Sequence, residues 1–427
     1  MTASHTPGAH GSKTTKYIII IGVFFFIFGF ISWINGTLIP YLRIACELEE
    51  WQTYLVTFAF YISYTVMAIP SSGLLAKTGM IKGMSIGLGV MALGCLVFIP
   101  AAYTRNYILF LVGLFWVGTG LTLLQTAVNP YITLLGPAET AAKRISMMGI
   151  CNKVAGILAP LVMGSIILKN ANDLVQELAQ MDAVAKAARL DLLSQSVVIP
   201  YAVLAGILLL IAILIRFAHL PEMMPEKVDG AALSGDTSSK VNRQYLLGFT
   251  AIFCCVGAEV LAGDSIGNYG LYHGLGLDIA KSLTSYTLAA MMAGYVLGVI
   301  AIPKIVSQQK AFYFSSVGGL IITFLIIVTP GIFSLIFLAV LGFCNALLWP
   351  AIWPQALKGL QGRQLAKGSA ILIMGIAGGA LLPLIYGAFG KFSNNQVAYL
   401  LLVPVYLFLI YYSYTGKRSS KKENIVS

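Results

Sequence analysis

The sequence predicts an all-α membrane protein of twelve transmembrane helices in two six-helix halves, from composition, the length of its apolar runs and its loop charges. The chain has 427 residues, 58% hydrophobic and 10% charged, with mean hydropathy +0.85. A soluble domain carries about 25% charged and 45–50% apolar residues, so hydrocarbon is the solvent for most of this chain. Apolar runs of about 20 residues, the length that crosses a bilayer as a helix, recur from end to end.

The runs fall near 17–42, 52–76, 81–102, 107–135, 145–168, 197–219, 246–268, 280–302, 311–329, 332–356, 366–390 and 397–415. The polar residues 1–16 form an N-terminal tail, and the first run is too long for a signal-peptide core, so it stays as helix one. Basic residues decide the orientation. With both termini cytoplasmic, Lys13, Lys16, Lys77, Lys82, Lys143, Arg144, Arg216 and most of the basic residues of the second half lie inside. Arg43, Arg105, Lys169, Lys186, Arg189, Lys281 and Lys391 lie outside. That bias satisfies the positive-inside rule, and the reverse orientation violates it at nearly every loop. Residues 169–195 carry mixed charge with helical periodicity and are expected on the external surface.

Residues 220–244, with Pro221, Pro225, Gly230, Gly235, Ser238 and Ser239, read as a flexible cytoplasmic linker. The linker separates a bundle at 17–219 from a bundle at 245–415, and 416–427 form a short cytoplasmic tail. Two six-helix halves around a central loop are the layout of the major facilitator architecture, with its binding site near the midplane between them.

Several function classes find no support. The +11 formal charge is spread loop by loop, so nucleic acid is not an expected partner. No phosphate-cradling G-x-x-x-x-G-K-[ST] loop occurs, no H-E-x-x-H or Cys/His cluster offers a metal, and no Ser/His/Asp set shares a depth. The six cysteines show neither metal spacing nor a disulfide framework. The expectation is a carrier rather than an enzyme, without a cofactor, surrounded by lipid and monomeric.

The functional signal is therefore polarity inside the spans. Three ionisable side chains fall at membrane depth: Lys153, Glu259 and Asp264. A charge in hydrocarbon costs roughly 2.5–3.5 kcal/mol on insertion scales, so it persists where it has a partner or a task. Gln125 and Asn129 lie four apart on one face of helix four, and Pro130 is expected to break the turn there. Their amides suit a neutral polyhydroxylated substrate, or else join helices to one another. In helix ten Asn345 and Trp349 share a face, an amide beside an aromatic plane that suits a sugar's hydroxyl rim and C–H face. Pro350 and Pro354 are expected to break that helix locally. Helix one carries Trp33, Asn35, Gly36 and Pro40, where the Asn-Gly pair either weakens the helix or permits close packing. Helix five carries Asn152 and Lys153; the lysine either snorkels to the cytoplasmic surface or needs an acidic partner. Glu259 is the main acidic candidate of helix seven. Asp264, five residues on and nearer the outside, points about 140° away, shares a face with Asn268 and reads as a rim or gate residue or as simply solvated.

The strings NGTLIPYL, LQTAVNPYITLLGP with KRISMMGICN, FCCVGAEV, FCNALLWPAIWPQAL and GGALLP resemble the fucose:proton symporter family of the major facilitator superfamily, nearly along the whole chain. Gln125 and Ala258-Glu259-Val260 are similar to its glucose/galactose type. The resemblance implies a symporter importing a neutral hexose such as glucose or galactose across the bacterial inner membrane by alternating access. The polar residues of the spans give the expected sugar site between the halves: Asn35, Gln125, Asn129, Asn152, Glu259, Asn345 and Trp349. The family's helix-one Asp is Gly36 here and its helix-four acid is Gln125, so both usual protonation positions are neutral. Coupling could move to Glu259 or Asp264, sodium could replace the proton, or Lys153 could stand in for a cation in an uncoupled uniporter. L-fucose, an N-acetylhexosamine, a non-transporting sugar receptor and an exporter of lipophilic compounds are the remaining alternatives.

Overall fold

The computed structural model describes residues 8–134, 141–169, 171–217, 239–302, 304–360 and 362–426. It is helical throughout these residues, with twelve helices long and apolar enough to cross a membrane. The first span is α1 (Gly8–Trp33) and α2 (Asn35–Ala45), and the second is α3 (Glu50–Thr53) and α4 (Leu55–Thr78). Single helices α5 (Met80–Thr104), α6 (Tyr107–Leu134) and α7 (Ala141–Ile167) follow. Two short helices, α8 (Ala171–Gln180) and α9 (Ala183–Gln195), precede α10 (Val198–Phe217). The later spans begin with α11 (Ser239–Tyr272), α12 (Leu277–Ala280) with α13 (Leu283–Ala301), and α14 (Gln308–Val328). They end with α15 (Gly331–Asn345) and α16 (Leu348–Leu357), α17 (Gly362–Met374) and α18 (Gly378–Phe392), and α19 (Leu402–Val426).

Every apolar run of the sequence falls on one of these spans; the fifth and sixth reach further, to Gln180 and from Ala183, by taking in α8 and α9. Three expectations change. Residues 239–244 of the expected linker are the start of α11, and the remainder of that linker falls outside the described residues. Gln244 there donates to the carbonyls of Ala356 and Lys358 at 2.8 and 2.9 Å, which draws the helix start onto α16. The tails are helical from Gly8 and through Val426, because nothing in either stretch stops the helix beside it. Pro130 does not break α6, which runs on to Leu134: a proline removes one N–H, and the adjoining turns still close.

Packing follows one rule in both groups of six spans. Within the first six, α1 packs on α7, α6 on α4 and α5, and α10 on α5. Within the last six, α11 packs on α18, α13 on α15, and α14 on α15 and α19. Across the groups, α7 meets α13 and α4 meets α18, so the second span of each group touches the fifth of the other. Glycines set the closest approaches at matching places. A Cβ on Gly29 of the first span would sit 1.9 Å from the Asn152 carbonyl oxygen of the fifth span. One on Gly378 of the eleventh would sit 1.9 Å from the Phe253 carbonyl oxygen of the seventh. Without a hydrophobic driving force between helices in lipid, such close backbone contact is what holds them.

With twelve crossings both chain ends lie at one end of the spans, and the opposite, far end is laced between the two groups. Lys391 reaches Glu49 at 3.0 Å, Asn395 donates to Glu50 at 2.6 Å, and Ser285 donates to the Ile157 carbonyl at 2.8 Å. Asn172 and Asp278 exchange backbone-to-side-chain bonds of 3.1 and 3.3 Å. Lys281 Nζ donates to the Leu168 carbonyl at 2.7 Å. The mixed-charge segment 169–195 folds as α8 and α9 at this end, with Asp182 capping α9 through Ala185 N–H at 2.8 Å. It is docked rather than loose: Tyr41 donates to the carbonyls of Leu193 and Ser194, and Ser194 to that of Ala102.

Gly29→Val should lower the thermal stability of the purified protein by the ~1–3 kcal/mol of an overpacked core. Gly206, where a Cβ meets nothing within 4 Å, should accept Ala without loss, as read by thermal unfolding in detergent. A second expectation concerns Glu49, whose carboxyl the Lys391 ammonium and then the Trp51 indole N–H hold below the usual carboxylate range. The folded value lies below the unfolded one, so this pairing acts above about pH 4.3 and is lost as pH falls through the folded value. Acidification below about pH 4 should therefore change Trp51 emission in the native protein, and Lys391→Met, which removes the ammonium, should move that change to higher pH.

Candidate functional site

Between the two groups, on the terminus side of the laced end, lies a cavity of about 140 Å³. Breaks in two spans shape its walls. The first span interrupts its helix at Ile34, between α1 and α2, and ends α1 on Trp33. Trp33 is wedged between spans: a Cβ on Gly156 of α7 would come 2.5 Å from it, and one on Gly263 of α11 2.4 Å. It closes the cavity toward the far end. Phe25 and Phe28 follow toward the termini on α1. Gly36 serves close packing rather than substrate contact, since a Cβ there would meet Thr284 Oγ1 at 2.3 Å.

The tenth span breaks at Ala346–Leu347, one turn ahead of Pro350, whose missing N–H leaves the Ala346 carbonyl without its helical donor. That break separates Asn345 from Trp349. Trp349 lines the cavity and stacks on Trp353, with ring centroids 5.3 Å apart and planes 21° apart. Asn345 turns into the bundle instead, 1% exposed, and its Oδ1 accepts from the Tyr406 hydroxyl at 2.6 Å. Of the expected sugar-facing pair, Trp349 lies on the cavity wall and Asn345 off it. Asn35 is also off the cavity wall: it is 1% exposed, and its amide nitrogen is buried without a partner.

The other expected residues converge. Gln125 and Asn129 of α6 and Asn152 and Lys153 of α7 line the cavity from the first group, and Glu259 of α11 from the second. Gln125 Nε2 donates to the Tyr64 hydroxyl at 3.0 Å, and Asn152 Nδ2 to the Phe25 carbonyl at 3.4 Å. Lys153 does not snorkel. Its side chain is 5% exposed, its Nζ lies 2.5 Å from Glu259 Oε1, and it sits 4.7 Å from the Trp33 ring centroid. The ring's negative face and the carboxylate together replace the water that the ammonium lost.

Sequence reasoning passed over Tyr61, Tyr64 and Tyr295, which line the cavity and add hydroxyls to its wall. Tyrosines in an apolar span read as packing, and only their convergence with Gln125 and Glu259 marks them. It also passed over Arg144, buried to 6% exposure, whose Nε donates to the Ile132 carbonyl at 3.0 Å near the terminus end. Asp264 is outside the cavity, in the laced end, as its angle from Glu259 requires. Thr57 of the first group donates to its Oδ2 at 3.0 Å.

The site's chemistry follows from these contacts. A paired ammonium and carboxylate cancel in net charge, yet keep spare N–H donors and lone pairs. With three amides, three phenols and two indoles around them, they suit an uncharged ligand rich in hydroxyls. Removing one partner of such a pair strands a buried charge, at about 3–5 kcal/mol. Lys153→Met should therefore unfold at a clearly lower temperature than the protein itself, and Lys153→Met with Glu259→Leu should recover most of the loss.

Comparison with known proteins agrees with this geometry. The family model described as Major Facilitator Superfamily matches residues 21–375. The chain is 33% identical over 400 residues to a glucose/galactose transporter of Brucella abortus, covering 92% of each. It is 28% identical over 426 residues to the L-fucose-proton symporter of Escherichia coli, covering 96% of each. The solved structure of FucP, a major facilitator transporter in the outward conformation, superposes with a TM-score of 0.74 at 26% identity, covering 93% of this chain and 98% of that one. With twelve apolar spans, a cavity between two packed groups and a family match over most of its length, this integral membrane protein belongs to the Major Facilitator Superfamily.

Proposed function

We propose that the chain is a cation-coupled importer of a neutral hexose of the glucose or galactose kind, working by alternating access in a bacterial inner membrane. The observation that carries the reading is the cavity wall, where amides, phenols and a stacked indole surround a charge-neutral Lys153–Glu259 pair. A pyranose presents a hydroxyl rim to amides and an apolar C–H face to Trp349. The names of the relatives, a glucose/galactose transporter and an L-fucose-proton symporter, support the same substrate class.

The basic-residue bias puts both termini in the cytoplasm. The laced end then faces outside, and the cavity belongs to the cytoplasm-facing state. Transport proceeds as the halves 17–219 and 245–415 rock about the site, breaking the Glu49–Lys391 and Thr57–Asp264 contacts at one end while the other end closes. The sugar binds Gln125, Asn129, Asn152 and Glu259 with Trp349 against its face. Asn35 and Asn345 support the two helix breaks.

Reconstitution into proteoliposomes, with counterflow and uptake of labelled glucose, galactose, fucose and N-acetylglucosamine, tests this reading. One of these sugars should exchange, and an imposed sodium or proton gradient should drive its accumulation. Gln125→Ala and Trp349→Ala should each weaken apparent affinity tenfold or more, about 1.4 kcal/mol. Asn345→Ala should lower thermal stability and leave the affinity within about twofold, since its partner is Tyr406. No exchange of any sugar would sink the hexose assignment.

A further inference from the structure

The sugar cavity leaves one carboxyl at membrane depth unused. Asp264 is 1% exposed and spans the two halves through the 3.0 Å bond from Thr57 Oγ1 to Oδ2, while its Oδ1 is buried without a partner. One turn on, along the same face of α11, Asn268 is likewise 1% exposed. Its Nδ2 donates to Thr53 Oγ1 at 3.2 Å, and its Oδ1 is also buried without a partner. Two orphaned acceptor oxygens, four residues apart, therefore lie in one desolvated layer of the closed end.

Among the described residues no basic side chain pairs with Asp264. The titratable groups facing it are phenols: Tyr54 and Tyr61 lie across the interface within electrostatic reach, and Tyr386 of α18 packs edge-on against Tyr54. Arg43 and Glu50 lie beyond Tyr54 and act on that phenol, and Glu259 on the opposite side of α11 is taken by Lys153. An ionised carboxylate only accepts hydrogen bonds, so here it would be a desolvated charge with one donor. A proton on Oδ1 removes the charge and turns one orphaned acceptor into a donor for the other. A sodium ion would need room and several oxygens, whereas Thr53, Tyr54 and Thr57 are packed to 0% exposure. A proton needs no room.

We propose that Asp264 is the proton-binding site of this transporter, and that the far end of the spans closes only when the carboxyl is protonated. Hydronium on that side gives its proton to Oδ1 and leaves as water; the neutral acid then takes Thr57 on one oxygen and donates toward Asn268 from the other. Ionised, the carboxylate keeps its water and holds Thr53 and Thr57 away. The inference rests on the alternating-access reading and names its coupled ion, moving coupling away from the positions held here by Gly36 and Gln125.

The test needs no sugar. With the native cysteines replaced, spin labels go on cysteines at Tyr103 and Phe392, 61% and 87% exposed at the far end of opposite halves. Their separation is measured in lipid nanodiscs from acid to alkaline pH. The distance should lengthen as pH rises, and Asp264→Asn should stay short throughout. Asn268→Leu, which deletes the acceptor of the protonated form, should move the midpoint about one unit toward acid, the size of one hydrogen bond. The proposal is overturned if Asp264→Asn titrates like its parent or if the parent ignores pH. It also fails if Asn268→Leu opens the end equally at every pH, or if sodium at fixed pH closes it. Failure of sugar exchange in proteoliposomes leaves these distances unaffected, so the two readings stand or fall separately.

Discussion

Lys153 and Glu259 come from opposite halves of the chain and meet at 2.5 Å, with side chains 5% and 14% exposed. In hydrocarbon neither charge is tolerable alone, so each halves' inner surface is acceptable only in the presence of the other's. The pair lets a cavity at membrane depth contain charge without net charge. It also explains why Trp33 sits where it does: the ring that closes the cavity lies over the ammonium. Substrate hydroxyls entering this cavity meet strong donors and acceptors that ask for no counter-ion.

The interface on the two sides of that pair has different chemistry. Toward the far end it is built from short side chains, Thr53, Thr57, Asp264, Asn268 and Ser285, whose bonds are geometrically demanding and easily broken together by a small rotation. Toward the termini it widens into the cavity. The bundles themselves are stiff, because backbones touch at Gly29–Asn152 and at Gly378–Phe253 and leave no slack for helices to slide. Motion is therefore confined to the plane between the groups, where contacts are bistable rather than continuously deformable.

What was legible in the sequence was whatever depends on local composition. Span number and approximate ends follow from apolar length, and the helical nature of 169–195 from periodicity. Gln125, Asn129, Asn152, Lys153, Glu259 and Trp349 stood out because polar groups in hydrocarbon need a reason. Two of the expected residues lie off the cavity wall. Asn35 and Asn345 are each 1% exposed and stand where the bundle packs rather than where the cavity opens, a difference that the sequence pattern does not register. Tyr61, Tyr64 and Tyr295 were passed over because an amphipathic ring among apolar neighbours looks the same whether it packs or lines a cavity.

By itself the sequence determined the class, the number of crossings, the angular separation of Glu259 from Asp264 and the list of polar groups buried with them. Only the tertiary structure decided that Lys153 answers Glu259 and that Thr57 answers Asp264, partners 106 and 207 residues apart. The periodicity of a helix states which residues share its face, but which neighbour that face meets is set by packing among all twelve spans.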